Sequence, residues 1–196
     1  MGIVIVCVLA LFLSASAAST DTEVDVYLNR ILKFEGGFQA DEDDGGNYLP
    51  DGTLVGTNRG ITPGALSDYW KAHPNSITLF DIESLTENDA REIYRTNYYY
   101  KPKINLLPSR LQPPVLDMYI NAGSAAIKIL QREAGMVVTE QDGIIGPKTL
   151  LAVEVSNVTI GAYADARIFF YINLTENRPK LKKYLNGWIA RANKYR

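Results

Sequence analysis

Cysteine is nearly absent from this chain: Cys7 is the only one in 196 residues. It lies in the apolar opening stretch, so the body of the chain has no disulfide, no thiolate metal site and no thiol nucleophile. Val6 stands where a lipobox needs a small residue, so Cys7 is not read as a lipid attachment point. Histidine is equally scarce. His73 is the single one, and it precedes Pro74 at an expected helix end. That argues against imidazole catalysis and against a histidine metal site. G-x-S-x-G, Walker A and G-x-G-x-x-G motifs are all missing. So are internal repeats and low-complexity tracts. The formal net charge is only -2, which gives no general attraction to nucleic acid. Acids are missing between Arg178 and Arg196, where Lys and Arg remain. Such a basic tail fits either an anionic cell wall or an ordinary solvated helix face.

Charge is also missing from the beginning. Met1 to Leu13 is apolar throughout, Ser14 to Thr20 is small and polar, and the first charged residue is Asp21. An apolar run of this length with an A-x-A-like exit predicts export. It is too short for a firm membrane span. Two modes remain open. Residues 1–20 are either a cleaved signal peptide or a signal-anchor-release segment that tethers the protein to the inner membrane through residues 1–19. The absent basic n-region and the Ala/Ser dilution lean toward release. In either case the expected location is the periplasm or outside the cell.

The densest chemistry lies at residues 33–62. Lys33-Phe34-Glu35-Gly36-Gly37-Phe38 ends an apolar, helix-like run. Asp41-Glu42-Asp43-Asp44-Gly45-Gly46 follows, and then Thr57-Asn58-Arg59-Gly60-Ile61-Thr62. Glycoside hydrolysis needs one carboxyl held protonated and a second held ionised across the sugar. Glu35, between Phe34 and Phe38 before a Gly-Gly stop, suits the first role, because desolvation raises a carboxyl pKa. Asp43 and Asp44, among glycines and water, suit the second. A solvated acidic turn is the competing reading. Calcium fits poorly, because the acids and Gly45 do not fall in EF-hand register.

These segments resemble glycoside hydrolase family 108, the N-acetylmuramidases of phage endolysins. The resemblance rests on Glu35-Gly36-Gly37-Phe38, the acids Asp41–Asp44, Gly45-Gly46, and Thr57 to Thr62. Two departures stand out. The proline usual before the second Gly-Gly is missing, which leaves either Asp43 or Asp44 as the family's second acid. Residues 48–55 are inserted, and Pro50-Asp51-Gly52 within them is turn chemistry, so an added hairpin is expected. The match continues through Asn121-Ala122-Gly123, an amphipathic run from Ala125 to Gly135, Asp142 to Leu150, and Gly187-Trp188-Ile189-Ala190-Arg191. The later part is similar to a peptidoglycan-binding-type region.

The resemblance implies a mainly α, lysozyme-like α+β fold with two helical lobes and a small hairpin region at the site. It implies residues 21–112 as the catalytic region and 113–196 as the wall-binding region. Peptidoglycan is the implied partner, cut between N-acetylmuramic acid and N-acetylglucosamine. Glu35 would be the acid, Asp44 the second carboxylate and Thr57 a holder of water, with Asp43 and Asn58 near the sugar. Neither a cofactor nor a metal is implied, and a monomer is expected. Two rival functions stand beside this one: a lytic transglycosylase, which needs only the Glu, and a non-catalytic wall-binding or secretion-accessory protein.

Local patterns predict the helices. Apolar positions at Val24, Leu28, Ile31 and Leu32 mark one over 23–35. Thr62-Pro63 opens another to about Ala72, and Thr86 caps one running to Tyr100. Further helices are expected over 114–122, 124–134, 147–155, 160–174 and 179–194, with strands few and near the site. Tyr98 and Tyr99, beside Tyr94 and Tyr100, would either stack on sugar rings or serve the core.

Overall fold

The structure is a computed structural model and describes residues 21–33 and 36–196. The export segment and the pair Phe34–Glu35 lie outside the described residues. Among those described, the fold is mostly helical with almost no strand, in the lysozyme-like manner expected.

Helix α1 (Asp21–Leu32) buries Val24, Leu28 and Ile31, the stripe its spacing dictates. Helix α2 (Pro63–Trp70) starts as its sequence says. Thr62 caps it by accepting from the Ala65 N–H, and Pro63 occupies the first turn, where no N–H is needed. A short α3 (Leu79–Glu83) lies outside the predicted helices. Its capping box, with Thr78 and Asp81 bonded reciprocally, resembles the one that opens α4 (Glu87–Ile93) between Thr86 and Asp89. The helix expected to run unbroken to Tyr100 changes type instead. From Tyr94 to Tyr100 it widens into a π turn, closed where the Lys101 N–H reaches Thr96 O at 3.0 Å.

The second half is a packed set of helices: α5 (Gln112–Ala122), α6 (Ala125–Glu133), α7 (Pro147–Ser156), α8 (Ile160–Asn177) and α9 (Leu185–Asn193). The last expected helix is split, with a 3₁₀ stretch over Pro179–Tyr184 before α9. One cluster of buried side chains runs from Val24 on α1 through Leu116 on α5 and Leu130 on α6 to Ala166 on α8. The division expected after residue 112 thus falls at the head of a helix that packs in both directions, against the π turn and against α6 and α8.

Charge is buried where the halves meet. Asp117 of α5 is fully buried. Its Oδ2 lies 2.5 Å from Arg167 Nη2 of α8, and its Oδ1 accepts from Arg191 Nε of α9 at 2.7 Å. The Arg167 contact is close but off the line of a directed hydrogen bond, so charge holds it. Burial alone would press the Arg167 pKa down. The Asp117 carboxylate, together with Tyr171 and Tyr163, outweighs that and keeps the guanidinium charged.

Candidate active site

The acidic segment folds around two amides, Gln39 and Asn47. Their side chains pair head to tail: Gln39 Nε2 donates to Asn47 Oδ1 at 3.0 Å, and Asn47 Nδ2 donates to Gln39 Oε1 at 2.9 Å. Asn47 is fully buried and also donates to the Asp41 carbonyl at 2.8 Å. Its own carbonyl accepts from the N–H groups of Val55 and Gly56 at 2.9 and 3.0 Å. A buried amide satisfied this fully makes a rigid strut.

The acids differ in how they are held. Asp44 caps the 3₁₀ turn Gly45–Asn47, its Oδ1 accepting from the Gly46 N–H at 2.9 Å. Its Oδ2 meets Gln39 Nε2 at 3.4 Å. The Asp41 carboxylate accepts from the Asp43 N–H at 2.9 Å. The Asp43 carboxylate takes part in none of these bonds, and both Asp43 and Asp44 are exposed. The loop therefore bonds the Asp44 carboxylate and leaves that of Asp43 to solvent alone.

Thr57 joins this frame by its backbone. It exchanges both N–H···O bonds with Gln39 at 2.8 Å. Its hydroxyl is buried and finds no protein partner among the described residues. Gly56, one residue earlier, has φ +80, and a Cβ there would stand 2.7 Å from the Gln39 carbonyl and from the Phe38 ring. Only glycine permits that approach. The inserted residues 48–55 form the expected hairpin. Tyr48 pairs with Leu54, and Gly52 turns at φ +87. Asp51 steadies the turn by accepting from the Thr53 N–H, which lowers its pKa.

Two residues expected to meet sugar are spent elsewhere. Asn58 is buried, and its amide donates to the carbonyls of Ile82 and Glu83 at 2.9 and 3.1 Å. It ties the end of α3 to the site loop, so its amide is engaged in structure rather than turned to substrate. Tyr99 is likewise a core residue with no exposed face. Its hydroxyl donates to Gln112 Oε1 at 2.6 Å. The widened π turn decides this, placing Tyr99 inward and leaving Tyr100 exposed. Tyr98 is partly buried, with its ring edge-on to Tyr119. Gln39 and Asn47 fall outside the motifs of the sequence. Their only sequence signal is position, each a few residues from a motif.

Residues 28–123 match the family described as Glycosyl hydrolase 108, and residues 125–193 match the Predicted Peptidoglycan domain. The chain therefore carries a glycosyl hydrolase 108 region followed by a peptidoglycan domain. Among solved structures it is similar to Brucella abortus SagA, with 28% identity and a TM-score of 0.71 over 90% of this chain and 92% of that one. No curated protein matches. The glycosyl hydrolase 108 match includes the site loop and all of α5, Asp117 included, while both of its arginine partners lie in the peptidoglycan domain. The combination supports a glycoside hydrolase with a lysozyme-like role on peptidoglycan.

Proposed function

We propose that the protein is an endolysin-type N-acetylmuramidase, hydrolysing the β-1,4 bond between N-acetylmuramic acid and N-acetylglucosamine. Glu35 gives its proton to the glycosidic oxygen as the bond to C1 breaks. Asp44 stabilises the oxocarbenium-like sugar or draws a proton from the incoming water. Water adds to C1 and leaves a reducing muramic acid. Thr57 holds that water. The observation that supports this reading is the frame built on Gln39, whose side chain meets Asp44 and whose backbone pairs with Thr57, a residue whose buried hydroxyl has no partner among the described residues.

Digesting purified cell wall and weighing the muropeptides tests the reading. Reducing muramic ends are expected from the wild type, and Glu35→Gln should yield them on the order of 10²–10⁴-fold more slowly. Anhydro-muramic ends would mean a transglycosylase, and an inert wild type would mean a binding protein. Export through residues 1–20 is part of the same proposal, supported by their uncharged, apolar-then-small composition. A reporter fused to them that stayed in the cytoplasm would refute it.

A further inference from the structure

The peptidoglycan domain presents a groove of about 410 Å³ between the end of α5 and the face of α9. Asn121, Lys183, Tyr184, Trp188, Arg191 and Lys194 line it. Asn121 opens the Asn-Ala-Gly motif that ends the glycosyl hydrolase 108 match, so both family regions form its walls. Its aromatic part is a stack: Trp188 lies on Tyr171 at 4.7 Å and 23°, and Tyr184 leans on Trp188 at 5.7 Å. Tyr184 is 46% exposed, and the Lys183 ammonium rests over its ring at 4.9 Å. Tyr184 above all, with smaller help from Asp41 and Asp43, holds the Lys183 ammonium charged. The segment from Arg178 to Arg196 contains no acid of its own.

We propose that this groove is a subsite for a carboxylate-bearing stretch of glycan, the lactyl and stem-peptide part of peptidoglycan. The proposal rests on the hydrolase reading and names the part of the substrate that this groove takes. Aromatic faces pack on the apolar faces of sugar rings. Lys183 supplies the charge. It is exposed and rests over an aromatic ring, a weak contact that a carboxylate displaces at little cost. Arg191 is committed to Asp117 and forms the floor. An uncharged glycan engages the rings but gains nothing from Lys183, so the groove discriminates by charge.

Binding to the full chain carrying Glu35→Gln, measured by calorimetry, tests this. The probes are a soluble disaccharide–tripeptide muropeptide strand and an uncharged N-acetylglucosamine oligomer of equal length. The anionic strand should bind more tightly. Lys183→Gln should cut that preference about five-fold while leaving the neutral probe unchanged, and Lys183→Arg should restore it. Tyr184→Ala, at an exposed ring, should weaken both probes. Equal affinity for the two probes in the parent, or a Lys183→Gln variant that keeps the preference, would overturn the proposal. The outcome is separate from the catalytic assignment. If Glu35→Gln still cleaves the strand, the acid is misassigned and the Lys183-dependent preference stands. If cleavage needs Glu35 but Lys183 has no effect on binding, the groove falls alone.

Discussion

Asp117 and Arg167 face each other at 2.5 Å with almost no exposure on either side, one from the glycosyl hydrolase 108 region and one from the peptidoglycan domain. Arg191 closes the cluster from α9. Two families that are described separately are thus joined through a buried charge.

That pairing predicts a large effect on stability. Asp117→Ala leaves two cations facing each other out of water and should cost about 3–5 kcal/mol. Urea unfolding should show one transition in the wild type, shifted as a whole in the variant. A loss under about 1 kcal/mol would show that water reaches the cluster. Two separate wild-type transitions would show that the regions fold independently.

The two candidate acids should separate by mutation. Asp44 is braced and Asp43 is not, so Asp44→Asn should lose most lytic activity, while Asp41→Asn and Glu42→Gln should keep most of it. Turbidity loss of a cell-wall suspension measures this. A severe Asp43→Asn with a mild Asp44→Asn would put the second acid one residue earlier.

Asn47 is predicted to matter without touching substrate. Asn47→Ala removes two of the Gln39 amide's bonds and the donor to the Asp41 carbonyl, and should cost about 1–3 kcal/mol. Lytic activity should fall with it, because Gln39 then no longer holds Asp44. Full activity in a folded variant would show that the strut is not what orients the acid.

Alkaline pH should destabilise the second half. Burial pushes the Tyr195 phenol up to about 12, and raises Tyr171 in the same way. An unfolded tyrosine releases its proton near pH 10, roughly its ordinary value, while the folded one keeps it. Between those values the folded state binds more protons, so stability falls as pH rises. The contribution is fully present below pH 10 and is lost by about pH 12. Thermal melts across this range should show the fall, and Tyr195→Phe should make it shallower. An unchanged slope would mean that Tyr195 is open to solvent.

Much of the local structure was legible because it depends on neighbours in the chain. Thr62 and Thr86 are followed by the residues that complete their caps, and both helices begin there. The stripe of Val24, Leu28 and Ile31 needs only its own spacing to turn inward. Pro50-Asp51-Gly52 turns because glycine accepts φ +87. The order of motifs from Gly36 to Arg191 likewise sufficed to point to both families.

What the sequence left open are matters of which face meets what. Tyr99 and Tyr100 are adjacent tyrosines, and only the π turn sends one into the core and the other to solvent. Asn58 reads as a site residue until α3, twenty-four positions away, offers it carbonyls. Asp44 differs from Asp43 only through Gln39 and Gly46. Asp117 finds Arg191 across seventy-four residues. Caps, stripes and turns are set by bonds between near neighbours, and the sequence states those outright. The pairing of buried polar groups depends on how distant helices pack, because a buried donor or charge must take whatever partner the tertiary fold brings within reach.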